Sequence, residues 1–210
     1  MTQSKKIAVT GGIGSGKSYV CGLIAQRGYP VFSCDEINRA LWSDEAYCKE
    51  LADRFPVCTV GGEIDKSLLA KGVFSDEETL RALNEIAHPR IMRALVDQME
   101  RAGGVCFAEV PLLFEGGYET LFDDVIAVRR ERAARIQAVA ARDGLSEDAI
   151  ALRMAQQFPP EQLERKHCYI LENCGTEEEI AAKLDRILQK LGISANRRES
   201  TGISAHTAKV

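Results

Sequence analysis

The stretch VTGGIGSGKSYV, residues 9–20, constrains the fold of this chain more than any other part. Gly11 to Ser18 fits the pattern G-x-x-x-x-G-K-[ST] and lies between a short apolar run at residues 6–10 and apolar residues at helical spacing. Glycines there permit positive φ angles and let backbone N–H groups approach phosphate oxygens, while the next helix directs its partly positive end to the same place. The stretch therefore predicts a strand, a phosphate-binding loop and a helix in succession.

The last residues of this loop carry the side chains that nucleotide chemistry needs. Lys17 offers a mobile positive charge to the β- and γ-phosphates, and Ser18 offers a hydroxyl ligand to Mg²⁺. The alternative, a glycine-rich turn without a ligand, does not account for the position between a strand and a helix. A GTPase is disfavoured, because the sequence has no guanine-selecting N-K-x-D motif. The residues predicted to bind nucleotide here are Gly12, Ile13, Gly14, Ser15, Gly16, Lys17, Ser18 and Tyr19.

Four more short apolar runs predict the rest of a sheet. They lie at residues 30–33, after the breaker pair Gly103-Gly104, at residues 124–128 and at residues 168–173. Helical patterns separate them, and the last helix is bracketed by a Thr176-Glu179 capping box and by Gly192. Strands that alternate with helices predict an α/β fold whose parallel five-stranded sheet has helices on both faces.

The length of 210 residues suits a single unit with insertions between its core elements. The interval between the second and third strands is longer than a simple crossover, and Ser75-Asp76-Glu77-Glu78 is a capping-box signature within it. We expect a core of residues 5–34, 103–128 and 167–192, a helical insertion at about 35–102, a second helical segment at about 129–166, and a disordered tail at 193–210.

Composition narrows the functional classes. The net charge of -4 comes from interspersed charges, so we expect no nucleic-acid partner. The seven cysteines form no C-x-x-C pair, which favours small buried side chains in a reducing compartment over disulfides or zinc. The N-terminus has no signal-peptide pattern and no apolar run approaches ~20 residues, so we expect a cytoplasmic protein without membrane contact.

A second candidate group lies at the end of the second predicted strand, in the segment PVFSCD. Asp35 should emerge at the carboxyl edge of the sheet, where open α/β sheets bind their ligands. A carboxylate there can orient an acceptor hydroxyl or take its proton during phosphoryl transfer. An N-cap for the helix starting near Glu36 is the structural alternative, and the two roles are compatible.

Taken together, the motifs resemble those of one family, the dephospho-coenzyme A kinases. The similarity runs from Lys6 to about Leu191 and is specific because several segments occur in the right order. These segments are TGGIGSGKS, VFSCDEINR, GEIDKSLLAKGVFSDEETLRALNEIAHPRI, EVPLLFE, RDGLSEDAIALRMAQQ and YILENCGT.

The resemblance implies a three-layer P-loop NTPase fold with an inserted helical acceptor-binding domain and a helical lid. It implies transfer of phosphate from ATP, with Mg²⁺, to the ribose 3′-hydroxyl of dephospho-coenzyme A, by a monomer or weak homo-oligomer. Asp35, Lys17 and Arg142 would be catalytic, and Arg153 would join the loop in binding ATP. The positions that fall on the acceptor side are Asp35, His88, Pro111, Leu112, Leu113 and Glu115. Core packing is the alternative for His88 and the two leucines.

Three positions depart from the family pattern. Ser33 and Cys168 replace acidic residues, and Ala138 replaces a lid arginine, whose charge Arg135 or Arg142, about one helical turn away, would have to supply. These departures favour one alternative, a non-catalytic module that binds ATP. A related kinase of nucleosides or nucleotides is the other alternative.

Overall fold

The computed structural model describes residues 4–193, without the side chains of residues 74 and 75. The predicted tail lies outside the described residues except for Ile193. Short 3₁₀ turns occur at Pro56–Cys58, Glu119–Leu121 and Pro160–Arg165. The elements are β1 (Lys5–Thr10), α1 (Lys17–Gln26), β2 (Val31–Ser33), α2 (Cys34–Leu41), α3 (Glu45–Arg54), β3 (Thr59–Val60), β4 (Glu63–Ile64), α4 (Lys66–Ser75), α5 (Glu77–Ala102), β5 (Val105–Glu109), β6 (Asp124–Arg129), α6 (Arg132–Asp143), α7 (Glu147–Ala155), β7 (Tyr169–Glu172) and α8 (Glu177–Lys190).

The five predicted strands form one parallel sheet in the order β2-β5-β1-β6-β7, which confirms the predicted fold class. Successive side chains of β1 point to opposite faces. Ile7 and Val9 join an apolar cluster with α1 and α8, whereas Ala8 joins a second cluster with α2, α3 and α5. Helices therefore cover both faces of the sheet.

The strand register brings the ends of three strands together. Glu109, the last residue of β5, lies opposite Ser33 of β2 and Val9 of β1. Because all three strands are parallel, the loop after β1 and the first turn of α2 leave the sheet at the same edge as Glu109. This edge is where the candidate site forms.

The region between β2 and β5 differs from expectation in one element. It is mostly helical, but Thr59–Val60 and Glu63–Ile64 form an antiparallel hairpin. Gly61 and Gly62 make the turn with φ values of 62° and 89°, as a two-residue hairpin of this kind requires. The Gly-Gly pair is the sequence signal that predicts this hairpin, and the prediction of a helical insertion did not include it.

Two helix starts also differ from the sequence reading. Asp76, not Ser75, caps α5, because its carboxylate accepts hydrogen bonds from the N–H groups of Glu78 and Thr79 at 3.3 and 2.8 Å. Ser33 caps α2, accepting from the Glu36 N–H at 3.4 Å, so Asp35 lies within the first turn and is not the cap. The predicted capping box of α8 is present.

The structure can also be compared with the expectations about membrane spans and about cysteines. Within residues 4–193, no helix combines the length and the apolar character that a membrane span needs. All seven cysteines are free thiols, and four of them are buried, whereas Cys174 is exposed.

Candidate active site

The glycine loop connects β1 to α1 as predicted and has the backbone conformation that only glycine adopts readily. The φ angles of Gly11, Gly14 and Gly16 are 144°, 74° and 91°. Gly16 is the N-cap of α1 and has no side chain to satisfy the free N–H groups of the first turn. These N–H groups and the partial positive charge of the helix end are available to an anion.

Later parts of the chain press against this loop and leave no room for side chains. A Cβ atom on Gly11 would lie 2.3 Å from the carbonyl oxygen of Val128, and one on Gly14 would lie 2.6 Å from that of Arg135. The Asn173 carboxamide donates to the Ser15 carbonyl at 2.7 Å and would clash with a Cβ on Gly16. The loop is therefore fixed by the ends of β6 and β7 and by α6.

Lys17 lies at the mouth of the loop. Its ammonium donates to the carbonyl oxygens of Gly11 and Gly12 at 2.7 and 3.2 Å. Burial lowers the pKa of Lys17, and the charge of Arg135 acts in the same direction, whereas Glu109 and Asp35 oppose both. A phosphate bound beside it would favour the charged ammonium.

Ser18 forms a pair with a residue that our sequence reading did not assign to the site. The Ser18 hydroxyl donates to the Glu109 carboxylate at 2.9 Å. Glu109 is the last residue of β5. Its position at the carboxyl end of a central parallel strand is the sequence signal that could have assigned it to the site. The pair places a hydroxyl and a carboxylate oxygen beside the loop.

Ser15 and Tyr19, the other two polar loop residues, have buried side-chain oxygens. Neither oxygen has a hydrogen-bond partner within the described part of the chain. The Tyr19 ring packs against the apolar cluster of α1 and α8. A part for Tyr19 in nucleotide binding therefore depends on its backbone N–H, in the first turn of α1.

Asp35 lies on the rim of a cavity of about 210 Å³ between α2, α5 and the segment after β5. The cavity brings together four of the predicted acceptor residues. Burial lowers the pKa of His88, which lies half-buried in α5. The lining residues are Cys34, Asp35, Asn38, Trp42, Tyr47, Leu83, Asn84, Ala87, His88, Ile91, Met92, Val110, Pro111, Leu112 and Tyr118.

The other two predicted acceptor residues lie elsewhere. Leu113 is fully buried in the core, in agreement with the packing alternative. The carboxylate of Glu115 accepts a hydrogen bond from the Phe158 N–H at 2.8 Å and lines a smaller cavity beside Gly11 and Arg135.

Of the two arginines that could supply the missing lid charge, the structure brings Arg135 to the loop, and not Arg142, which the resemblance implies to be catalytic. Arg135 is only 6% exposed, and its Nε donates to the Ile13 carbonyl at 2.9 Å. Gln157 accepts from the Ile13 N–H at 2.7 Å and lies 3.5 Å from the Arg135 guanidinium. Arg142 is two-thirds exposed and forms two hydrogen bonds with Asp143, and Arg153 is exposed.

This arrangement defines a class of protein. A strand, a crowded glycine loop, a tethered lysine and a helix end form a phosphate site, and two carboxylates lie beside it at the same sheet edge. The chain is a P-loop nucleotide-binding protein of the α/β class.

Comparison with known proteins gives the family. The dephospho-CoA kinase family model matches residues 5–179. Dephospho-CoA kinase of Thermus thermophilus is 38% identical over 186 residues, covering 88% of this chain and 91% of that protein. That of Deinococcus radiodurans is 35% identical over 198 residues, covering 92% and 95%. The crystal structure of TT1252 from Thermus thermophilus superposes with a TM-score of 0.76 at 37% identity, covering 90% of this chain and 98% of that one. The chain belongs to the dephospho-CoA kinase family.

The crowding at the loop predicts a difference between two glycine-to-alanine changes. Gly14→Ala should weaken ATP binding at least tenfold, because alanine disfavours a φ of 74° by about 1–2 kcal/mol and its Cβ meets a backbone oxygen. Gly22→Ala is the matched control, because Gly22 is exposed in α1 and has open space around it. We expect its ATP affinity to stay within twofold of wild type in isothermal titration calorimetry. Wild-type affinity in Gly14→Ala would contradict the prediction.

Proposed function

We propose that the protein phosphorylates the ribose 3′-hydroxyl of dephospho-CoA with ATP, giving CoA and ADP. The observation that carries the proposal is the position of Asp35, on the rim of a cavity and within electrostatic range of Lys17. A hydroxyl held at this rim would face the phosphate loop. Membership of the dephospho-CoA kinase family supplies the acceptor.

We propose that two regions between the strands bind different substrates, one the acceptor and the other ATP. The helices at about 35–102 supply Asp35 and most of the cavity lining, which supports a role in acceptor binding. The segment at about 129–166 supplies Arg135 and Gln157, which contact the phosphate loop and support a role as the lid over ATP. Closure of such a segment excludes water and strengthens the electrostatic interactions inside.

The reaction needs a positioned hydroxyl and stabilisation of charge on the transferred group. Lys17 and the loop N–H groups would hold the β- and γ-phosphates, and Asp35 would orient the 3′-hydroxyl and accept its proton as the new P–O bond forms. The bond between the γ-phosphorus and the oxygen bridging to the β-phosphate breaks, and ADP leaves with that oxygen. Because little covalent chemistry is required of the protein, positioning and electrostatics account for most of the catalysis.

The donors beside the loop fit Mg²⁺. Ser18 and Glu109 present hard oxygen ligands 2.9 Å apart, next to the phosphate position. Within residues 4–193 no group of three or more His, Cys, Asp or Glu side chains could hold a metal alone, so phosphate oxygens and water would complete the shell, as is usual for Mg²⁺. When bound, Mg²⁺ would offset charge on the β- and γ-phosphates.

We propose Arg135, in place of Arg142, as the lid arginine. Its guanidinium is buried, and no carboxylate within the described residues lies at ion-pair distance from it. Burial lowers the pKa of Arg135, although arginine stays charged in proteins. A buried, unpaired charge is costly, and a nucleotide phosphate would supply the missing negative partner. This placement would compensate for Ala138, one helical turn further along α6.

Turnover and its loss on changing one carboxylate test the proposal. Wild-type protein with ATP, Mg²⁺ and dephospho-CoA should produce ADP and CoA, and Asp35→Asn should lower kcat by about 10²–10⁴-fold, the usual contribution of a positioned acid or base. Its Kd for ATP should stay within threefold. Coupled detection of ADP and calorimetry give the two quantities.

Glu36→Gln is the matched control, because Glu36 is an exposed carboxylate in the same first turn of α2 and does not line the cavity. We expect it to retain wild-type kcat. Equal loss of turnover and ATP binding in Asp35→Asn would make Asp35 a structural residue. Folded, ATP-binding wild-type protein without turnover of dephospho-CoA would refute the proposed function.

Arg135 and Arg142, two of the three arginines of α6, should differ in their effect on turnover. Arg135→Ala should lower kcat by about 10²–10³-fold, which is typical for removal of one group that stabilises transition-state charge. Arg135→Lys should recover part of this loss because it keeps the charge, and Arg142→Ala should stay within threefold of wild type. Steady-state kinetics measure all three, with thermal unfolding to verify that each variant folds. A larger loss in Arg142→Ala than in Arg135→Ala would reverse the assignment.

A further inference from the structure

The cavity beside Asp35 has an unusual combination of side chains. Aromatic and aliphatic residues form most of its wall, and Asn38, Asn84 and His88 add polar groups. Within the described part of the chain, none of these three side chains forms a hydrogen bond with the protein. Their hydrogen-bonding groups are therefore available to a ligand.

Among the described residues that line the cavity there is no lysine or arginine, and Asp35 is the one carboxylate. Burial lowers the pKa of His88, which disfavours a charged imidazole. A diphosphate placed there would lose its hydration without gaining a cation from the lining residues. The cavity consequently suits a neutral group with a polar edge.

Dephospho-CoA has two neutral parts, the adenine ring and the pantetheine arm, and its connectivity separates them. The adenine is attached to C1′ of the ribose, a few covalent bonds from the 3′-hydroxyl that faces Asp35. The arm is attached at the 5′ position through the diphosphate, so that more covalent bonds separate it from the 3′-hydroxyl. A hydroxyl at Asp35 therefore brings the adenine, and not the arm, to the neighbouring cavity.

The size of the cavity agrees with one heterocycle. Its volume of about 210 Å³ lies below the roughly 300–1,000 Å³ of pockets that enclose drug-sized ligands. The whole acceptor could not enter. A flat ring with one polar edge could, and the arm would remain outside.

The aromatic side of the cavity is held in place before any ligand binds. Trp42 contacts the Tyr47 ring edge-on, with centroids 5.8 Å apart, and the Lys66 ammonium lies 4.7 Å above the Trp42 ring. Tyr47 is 1% exposed. Rigid aromatic surfaces bind bases by stacking at low entropic cost, and an asparagine carboxamide can pair with the amino group and a ring nitrogen of adenine.

We propose that this cavity binds the adenine ring of the acceptor, with the carboxamides of Asn38 and Asn84 reading its polar edge. The proposal rests on the proposed function and specifies which part of the acceptor the protein selects. Selection of the base at this point would also fix the ribose, since the ring and the sugar move together. The base would thereby help to hold the 3′-hydroxyl at Asp35.

The test compares dephospho-CoA with an analogue in which unsubstituted purine replaces adenine, so that only the 6-amino group is lost. We expect the kcat/KM of wild type to fall about 5- to 150-fold, since a paired base edge contributes about 1–3 kcal/mol of discrimination. In Asn84→Leu, the kcat/KM for dephospho-CoA should exceed the kcat/KM for the purine analogue by less than threefold. Asn38→Leu is a second variant that removes a carboxamide, for use if Asn84→Leu does not fold. Glu85→Leu, an exposed change on the same helix, should keep the wild-type ratio.

A second analogue, with a shortened pantetheine arm, separates the two neutral parts of the acceptor. We expect its kcat/KM to stay within threefold of that of dephospho-CoA in wild type and in Asn84→Leu. Equal use of adenine and purine by wild type, or discrimination that persists in the carboxamide variants, would overturn the proposal. A penalty for the short arm that disappears in Asn84→Leu would place the arm in the cavity and overturn it too. Absence of any turnover of dephospho-CoA by wild type, measured first, would instead be a failure of the proposed function.

Discussion

The close packing around the phosphate loop is the constraint on which the rest of the site depends. Gly11 and Gly14 lie against backbone carbonyl oxygens of β6 and α6, and Asn173 at the end of β7 holds the Ser15 carbonyl. These contacts need β6 directly beside β1, which the strand order provides. The conformation of the loop depends on three later parts of the chain that only the folded domain brings to it. Phosphate binding is therefore a property of the folded domain, even though its sequence signature is short.

The other side of β1 determines where the acceptor chemistry can occur. β5 lies between β1 and β2, and Glu109 at its end contacts Ser18 of the nucleotide side while lying opposite Ser33, two residues before Asp35. Both Glu109 and Asp35 favour the charged form of Lys17, against the effect of burial. One strand register thus sets the distance between the phosphate-binding cation and both carboxylates. Neighbouring side chains face opposite sides of a strand. A one-residue shift of β2 would therefore move its side chains to the opposite face of the sheet.

The sequence predicted most local features of this fold, and the differences without a local signal concern the orientation of side chains. The loop, the five strands and Asp35 are visible as short patterns with a physical cause at each position. Arg135 and Arg142 differ by seven residues on one helix, and only the packing of α6 on the loop distinguishes a buried guanidinium from a solvated one. Leu113 looked equivalent to Leu112, yet it points into the core. The hairpin at Gly61-Gly62, in contrast, has a clear local signal in the sequence.

The segment after β5 connects the two halves of the candidate site. Pro111 lines both the cavity beside Asp35 and the small cavity beside Gly11. Further along, Phe114 packs on Phe158 with ring centroids 4.9 Å apart, and the Lys166 ammonium lies 5.1 and 5.3 Å from the two rings. Lys166 also pairs with Glu119 at 2.6 Å, and Gln157, next to Phe158, binds the Ile13 N–H of the phosphate loop. Packed rings and hydrogen bonds therefore join the segment after β5 to the phosphate loop, in addition to the sheet itself.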